Sequence, residues 1–245
     1  MPEVIAHRGD SAHAPENTLR AFRRAVERGA DRIELDVRRS ADGVPFVFHD
    51  SDLARLTGRA GRAGDLTLDE LTTLQVLADE FGRAEDGLVP SLDAVLADLD
   101  GTCPLYVEIK PDDEVRDGEH RRALTDACIE RIDRDGPHVL ASFDPAVVRR
   151  CLDAGRPTVL IAADPQSLGR LTDHERDSLH AYSVLHERID AALVESCAAV
   201  HLPLWAWTVD RRPDFDRLWT AGARTAWCTN DVGALRAWLD GADRR

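Results

Sequence analysis

Residues 4–37, VIAHRGDSAHAPENTLRAFRRAVERGADRIELDV, decide the fold. The runs Val4-Ile5-Ala6-His7 and Arg32-Ile33-Glu34-Leu35-Asp36-Val37 have the length and apolar content of strands. Between them, from Thr18 to Arg28, Leu19, Phe22, Ala25 and Val26 recur at the spacing of one helical face. Asn17 or Thr18 supplies an N-cap, with Pro15 just ahead. Strand, helix and strand in this order form a parallel unit, and the pattern continues down the chain. Further strands are expected near 44–48, 105–109, 139–142, 158–161, 181–185, 204–209 and 224–228. Helices are expected near 91–98, 119–134, 145–154, 189–198, 212–221 and 231–240. Alternation of this kind implies a parallel sheet. The number of units and the length of 245 residues point to one α/β domain, a (β/α)8 TIM-type barrel spanning 1–245.

Nine strands are one too many for eight. Between Asp36 and His49 there is no room for a helix, only Arg38-Arg39-Ser40-Ala41-Asp42-Gly43. Asp-Gly signals a tight reversal, because such turns need positive φ. Segment 44–48 is therefore expected to run back antiparallel as an extra hairpin strand, bringing His49 beside Glu34 and Asp36. A parallel 44–48 would place His49 at the opposite end. The stretch from about 51 to 90 lacks barrel periodicity and reads as a small insertion after the hairpin. It is rich in glycine and arginine (Gly58, Arg59, Gly61, Arg62, Gly64) and then carries Thr67-Leu68-Asp69-Glu70, a capping-box pattern for at least one short helix.

Bulk properties narrow the function classes. A formal net charge of −14 argues against nucleic acids and anionic membrane surfaces as partners. No run of eighteen apolar residues is present, and Val4-Ile5-Ala6 follows the start with no basic stretch or apolar leader. The expectation is a soluble protein without stable membrane association. Five cysteines (103, 128, 151, 197 and 228) are scattered and odd in number, which fits reduced packing thiols in a cytoplasmic protein. The oligomeric state is left open.

The chemistry gathers at strand ends. Glu34 and Asp36 flank Leu35, so both face one way on a strand. His7-Arg8-Gly9 and His49-Asp50 each close an apolar run. Glu108-Ile109-Lys110 closes another, and Lys110 is the chain's single lysine among 31 basic residues. Taken singly, a strand-end histidine reads as a buried imidazole and a strand-end acid as a solvated charge. Taken together, two histidines, a guanidinium and two carboxylates are what metal-assisted attack on a phosphate ester requires.

His7-Arg8-Gly9, Pro15-Glu16-Asn17-Thr18, Glu34-Leu35-Asp36, His49-Asp50, Glu108-Ile109-Lys110, Ser142-Phe143 and Trp207-Thr208-Val209 occur in the order of the glycerophosphodiester phosphodiesterase family, which the chain therefore resembles. Thr229-Asn230-Asp231 resembles that family's last strand end. The resemblance implies metal ligation by Glu34, Asp36 and Glu108. Carboxylates without clustered cysteine select a hard divalent cation, Mg²⁺ or Ca²⁺. It further implies that His7 and His49 are the catalytic acid and base, in either order, acting on a small-molecule glycerophosphodiester to give glycerol 3-phosphate and an alcohol. Arg8 and Lys110 match phosphate-binding positions. Phe143 and Trp207 match positions walling the alcohol or glycerol, with plain packing as the alternative for each. Glu16 would orient His7 or Arg8, and Asn17 would do likewise or cap its helix. Lysophospholipase D-type activity on lysophospholipids is the alternative within the superfamily.

Overall fold

The computed structural model describes residues 1–110 and 118–242, and within them the alternation closes into a ring. The strands are β1 (Glu3–His7), β2 (Arg32–Arg39), β3 (Pro45–Val47), β4 (Leu105–Ile109), β5 (Val139–Ser142), β6 (Thr158–Ala162), β7 (Ala181–Leu185), β8 (Leu204–Trp207) and β9 (Ala226–Thr229). β1 pairs in parallel with both β2 and β9, and the remaining parallel pairs run β2, β4, β5, β6, β7, β8, β9. That order makes an eight-stranded parallel barrel. β3 lies outside it, antiparallel to the end of β2 through Val37–Val47, Arg38–Phe46 and Arg39–Pro45. The extra hairpin strand expected from the sequence is therefore present. Its reversal is a five-residue loop, Ser40–Val44, with Gly43 at φ +91° and the Ser40 amide donating to Val44 O at 3.0 Å.

Residue parity sorts the strands. Val4, Ala6, Ile33, Leu35, Val37, Leu105, Val107 and Ile109 face outward into the layer between sheet and helices. Ile5, Tyr106, Val139, Ala141, Val159, Ile161, Trp205 and Cys228 fill the barrel interior. Each such aliphatic side chain, fully removed from water, contributes about 1.5–3 kcal/mol. With these anchors fixed, the period-two rule turns His7, Glu34, Asp36, Glu108 and Lys110 inward at one end of the barrel.

Helices Leu19–Glu27, Leu92–Asp98, Pro145–Asp153, Ala191–Ala199, Arg212–Ala221 and Val232–Ala242 lie near their expected positions. The helix expected at 119–134 runs Gly118–Arg131 and stops before Asp133-Arg134-Asp135-Gly136, a turn-forming sequence. The strand expected at 204–209 ends at Trp207. Helix Asp173–Asp177 lies outside the expected set. Its signal was present in Thr172 and Glu175, which form a capping box with Thr172 N donating to Glu175 Oε2 at 2.6 Å.

Between β3 and β4, helices Ala54–Thr57 and Leu68–Leu71 pack around a small core of their own, and Ala78–Phe81 lies outside it. Phe46 and Phe48 enter it from the hairpin, and Leu53, Leu56, Leu71, Val76 and Val89 complete it. The capping box Thr67–Glu70 forms as its pattern predicts.

Candidate active site

Strand register assembles the site. His7 stands opposite Glu34 across the β1–β2 pair, and Asp36 stands opposite Glu108 across β2–β4. The hairpin returns the chain so that Phe48 N donates to Asp36 O at 2.9 Å, setting His49 next to the carboxylates. His7, Arg8, Glu34, His49, Glu108, Lys110, Phe143 and Trp207 then line one cavity of about 100 Å³, floored by Tyr106, Ile161 and Cys228. It borders a wider groove of about 510 Å³ bounded by Arg38, Ser142, Asp144 and Arg170, and the two share Glu108, Lys110 and Phe143.

The turn after β1 is conformationally demanding. Arg8 adopts φ +58°, a left-handed conformation that costs a non-glycine residue energy. Its amide donates to Glu34 Oε2 at 2.9 Å. Gly9 follows at φ +84°, and a Cβ there would lie 2.6 Å from Ala21 C in helix Leu19–Glu27. Gly9→Ala is therefore expected to destabilise the fold by about 1–3 kcal/mol through strain and collision. An unchanged urea midpoint would show that the turn relaxes freely.

Glu34, Asp36 and Glu108 are buried, and their ligand oxygens lie within 4.8 Å of one another. Glu34 Oε1 has no hydrogen-bond partner among the described residues. An orphaned buried carboxylate oxygen in a three-carboxylate cluster fits a hard cation with metal–oxygen distances of about 2.0–2.6 Å. Two cations already brace the cluster. Lys110 Nζ lies 2.5 Å from Glu108 Oε1 and 3.1 Å from Asp36 Oδ1, and Arg8 Nε lies 3.2 Å from Asp36 Oδ2. The Asp36 and Arg8 contacts are ion pairs off the line of a hydrogen bond. A second group, Asp10, His13 and Asp231, lies apart from the cavity. There Asp10 is committed to Arg24 Nε at 2.6 Å and to Val232 N.

The acids divide electrostatically. Burial, then Asp36 and Glu108, pushes the Glu34 carboxyl well above its usual value, and burial also raises Glu108. For Asp36 burial acts in the same upward sense, but Lys110 and Arg8 outweigh it and hold the group below the usual range. Burial, aided by Arg8, lowers His7 to about 4. Burial lowers His49 as well, against the pull of Asp36.

Hydrogen bonds define what each supporting residue holds. Thr18 takes the N-cap, accepting from Ala21 N, which leaves Asn17 free of that duty. Asn17 Nδ2 donates to Asp36 Oδ2 at 2.7 Å, and Asn17 Oδ1 accepts from Asp36 N at 3.2 Å. Glu16 accepts from Arg8 Nη1 at 2.8 Å and from Arg55; among the described residues no hydrogen bond joins it to His7. Phe143 is 40 % exposed and meets Trp207 edge to face with centroids 5.4 Å apart, so Phe143 is a wall residue and not core.

Sequence reasoning missed several participants. His7 Nδ1 lies 2.7 Å from Asn230 Oδ1, and Asn230 Nδ2 donates to Asp210 at 2.6 Å. The rarity of asparagine, at two in the chain, was the available hint for Asn230. His49 Nδ1 lies 2.6 Å from Asp50 Oδ1, and Arg55 binds both Asp50 and Glu16. Its partner Asp50 is five residues away, but its link to Glu16 spans 39 residues, which no local pattern signals.

Comparison with known proteins gives concordant findings. The Glycerophosphoryl diester phosphodiesterase family profile matches residues 7–234. A glycerophosphodiester phosphodiesterase of Caldanaerobacter subterraneus is 33% identical over 230 residues, covering 89% of this chain and 90% of the relative. Among solved structures, a phosphodiesterase of Oleispira antarctica in complex with the product sn-glycerol-3-phosphate superposes with TM-score 0.86 at 23% identity, covering 98% of this chain and 97% of that one. A glycerophosphodiester phosphodiesterase of Thermotoga maritima superposes with TM-score 0.76 at 25% identity, covering 97% and 98%.

Proposed function

The chain is an enzyme of the glycerophosphoryl diester phosphodiesterase family, and on that footing we propose metal-dependent hydrolysis of glycerophosphodiesters to glycerol 3-phosphate and an alcohol, with His7 as base and His49 as acid. The observation that carries this reading is the pair of histidines lining one cavity with Glu34 and Glu108, two of three clustered buried carboxylates, each imidazole held by a different kind of partner.

His7 gives its Nδ1 to a neutral amide and is kept uncharged by burial, so its Nε2 lone pair is free to accept a proton. His49 gives its Nδ1 to the Asp50 carboxylate, which stabilises an imidazolium. In the reaction His7 takes the proton of the attacking oxygen as the new oxygen–phosphorus bond forms. His49 protonates the alcohol oxygen as its bond to phosphorus breaks. Each transfer contributes about 10²–10⁴-fold. A Mg²⁺ or Ca²⁺ ion held by Glu34, Asp36 and Glu108 would polarise the phosphoryl group. Arg8 and Lys110 carry the positive charge that meets phosphoryl oxygens, while Glu16 and Asn17 hold Arg8 and Asp36 in place. The compact cavity suits the phosphoglycerol end, walled by Phe143 and Trp207, and the adjoining groove suits the alcohol. We read the whole chain as one catalytic domain with 51–90 as an insertion, whose Arg55 ties it to the His49 side of the site. Among the described residues no helix is long and apolar enough to cross a membrane.

Release of glycerol 3-phosphate from glycerophosphocholine, measured after EDTA and again with Mg²⁺ or Ca²⁺ restored, tests the proposal. Loss on chelation and recovery on metal addition are expected. Turnover of lysophosphatidylcholine with none of glycerophosphocholine would replace this substrate with the lysophospholipid alternative, and full activity in EDTA would end the metal requirement.

The raised carboxylates give the metal effect a pH sign. Glu34 and Glu108 retain protons in the fold at pH values where the unfolded chain has released them. Their contribution to metal-free stability is thus lost as pH rises through that window, the reverse of an ordinary salt-bridged acid. A cation must displace those protons, so its binding strengthens with pH. The increment in Tm from Mg²⁺ or Ca²⁺ is expected to grow as pH rises above the ordinary carboxylate range; a flat increment would contradict ligation by these two groups.

A further inference from the structure

β8 and β9 end in a small hydrogen-bonded array behind His7. Asp210 Oδ1 accepts from Asn230 N at 2.8 Å and from Thr229 Oγ1 at 3.1 Å, and Asp210 Oδ2 accepts from Asn230 Nδ2 at 2.6 Å. Asn230 Oδ1 faces His7 Nδ1 at 2.7 Å and Ser11 Oγ at 2.9 Å. An ionised carboxylate can only accept. Turning the Asn230 amide over would set its oxygen against Asp210 Oδ2 and aim its NH₂ at His7. Asp210 thereby dictates which end of the amide His7 meets.

We propose that Asp210 is a positioning residue for His7: by fixing the orientation of the Asn230 amide, it locks His7 in the Nδ1–H tautomer and leaves Nε2 bare toward the cavity. A carbonyl oxygen at Nδ1 requires a donor there, and in a neutral imidazole the other nitrogen is then an acceptor. Asp210 does not line the cavity and touches neither His7 nor the carboxylate cluster. Its charge acts on His7 through space, but its only hydrogen-bonded route to the ring among the described residues is through the Asn230 amide. The proposal rests on His7 acting as base, but the tautomer can be observed without turnover.

The test is ¹⁵N NMR of the histidine rings in the intact protein near neutral pH, with the His7 signal assigned by its loss in His7→Gln. Wild type is expected to show His7 wholly as Nδ1–H. In Asp210→Asn either amide orientation becomes permissible, so the Nε2–H form should appear and kcat should fall by up to about 10²-fold, part of the 10²–10⁴-fold that a general base supplies, with KM nearly unchanged. The exchanged pair Asp210→Asn with Asn230→Asp again presents a strict acceptor to His7 Nδ1 and is expected to regain the single tautomer and most of kcat. A wild-type Nε2–H signal, or an Asp210→Asn protein with unaltered tautomer, overturns the proposal. A changed tautomer with undiminished turnover upholds the positioning role and instead removes His7 as the base.

Discussion

Replacing His7 or His49 by alanine is expected to lower kcat on glycerophosphocholine by about 10²–10⁴-fold while the circular dichroism spectrum stays that of the folded protein. Retention of the fold follows from the structure: β1 is held on both sides by β2 and β9, and His49 lies beyond the end of β3. The two losses should separate when the leaving group is changed. A choline-type alkoxide needs a proton as it departs, whereas p-nitrophenolate does not. With a p-nitrophenyl ester of glycerol 3-phosphate, His49→Ala should therefore recover most of its activity, and His7→Ala should remain as impaired as before. Equal defects of both variants on both substrates would falsify the assignment of His49 as acid and His7 as base.

The carboxylate cluster should show stability and activity moving in opposite directions. Glu34 is buried beside Asp36 and Glu108, and all three effects disfavour its charge. In Glu34→Gln the amide oxygen can still accept from Arg8 N, yet the repelled charge is gone. Metal-free stability is expected to rise by about 0.5–2 kcal/mol, the range common for stabilising substitutions that sacrifice function, while metal-dependent turnover disappears. Asp36→Asn should be equally inactive but less stable. Asp36 is the shared partner of Lys110 and Arg8, and removing one member of a buried charge cluster costs about 3–5 kcal/mol when the other charges are left uncompensated. Lys110 keeps Glu108 and Arg8 keeps Glu16, which places the expected loss toward the lower end. Its acid sensitivity has the ordinary sign. Asp36 contributes stability above the usual carboxylate range and loses it as pH falls through its depressed value. Urea unfolding of the metal-free variants decides the matter, and a Glu34→Gln midpoint below wild type would show that the Glu34 charge is already compensated within the protein, without a bound metal ion.

Much of the site was legible because strand periodicity is local. Glu34 and Asp36 share a face by parity alone, and so do Glu108 and Lys110. The reversal through Asp42-Gly43 by itself puts His49 at the end of the strand that carries Asp36. The leucines of 51–90 were harder to read. They are scattered at no single period, and their small core forms only when Phe46 and Phe48 are delivered by the hairpin.

What the sequence determined by itself was the strand–helix alternation, the hairpin and the residue types gathered at the strand ends, because these depend on side-chain direction over a few neighbouring residues. Tertiary structure alone decided which partner each of those groups would have. Asn230 reaches His7 across 223 residues, Arg55 reaches Glu16 across 39, and Asn17 reaches Asp36 across 19. Ring closure brings β9 against β1 and creates the first of these pairs. Hydrogen bonding and charge compensation act over a few ångströms in space, and only the closed barrel converts distant positions in the chain into neighbours at that range.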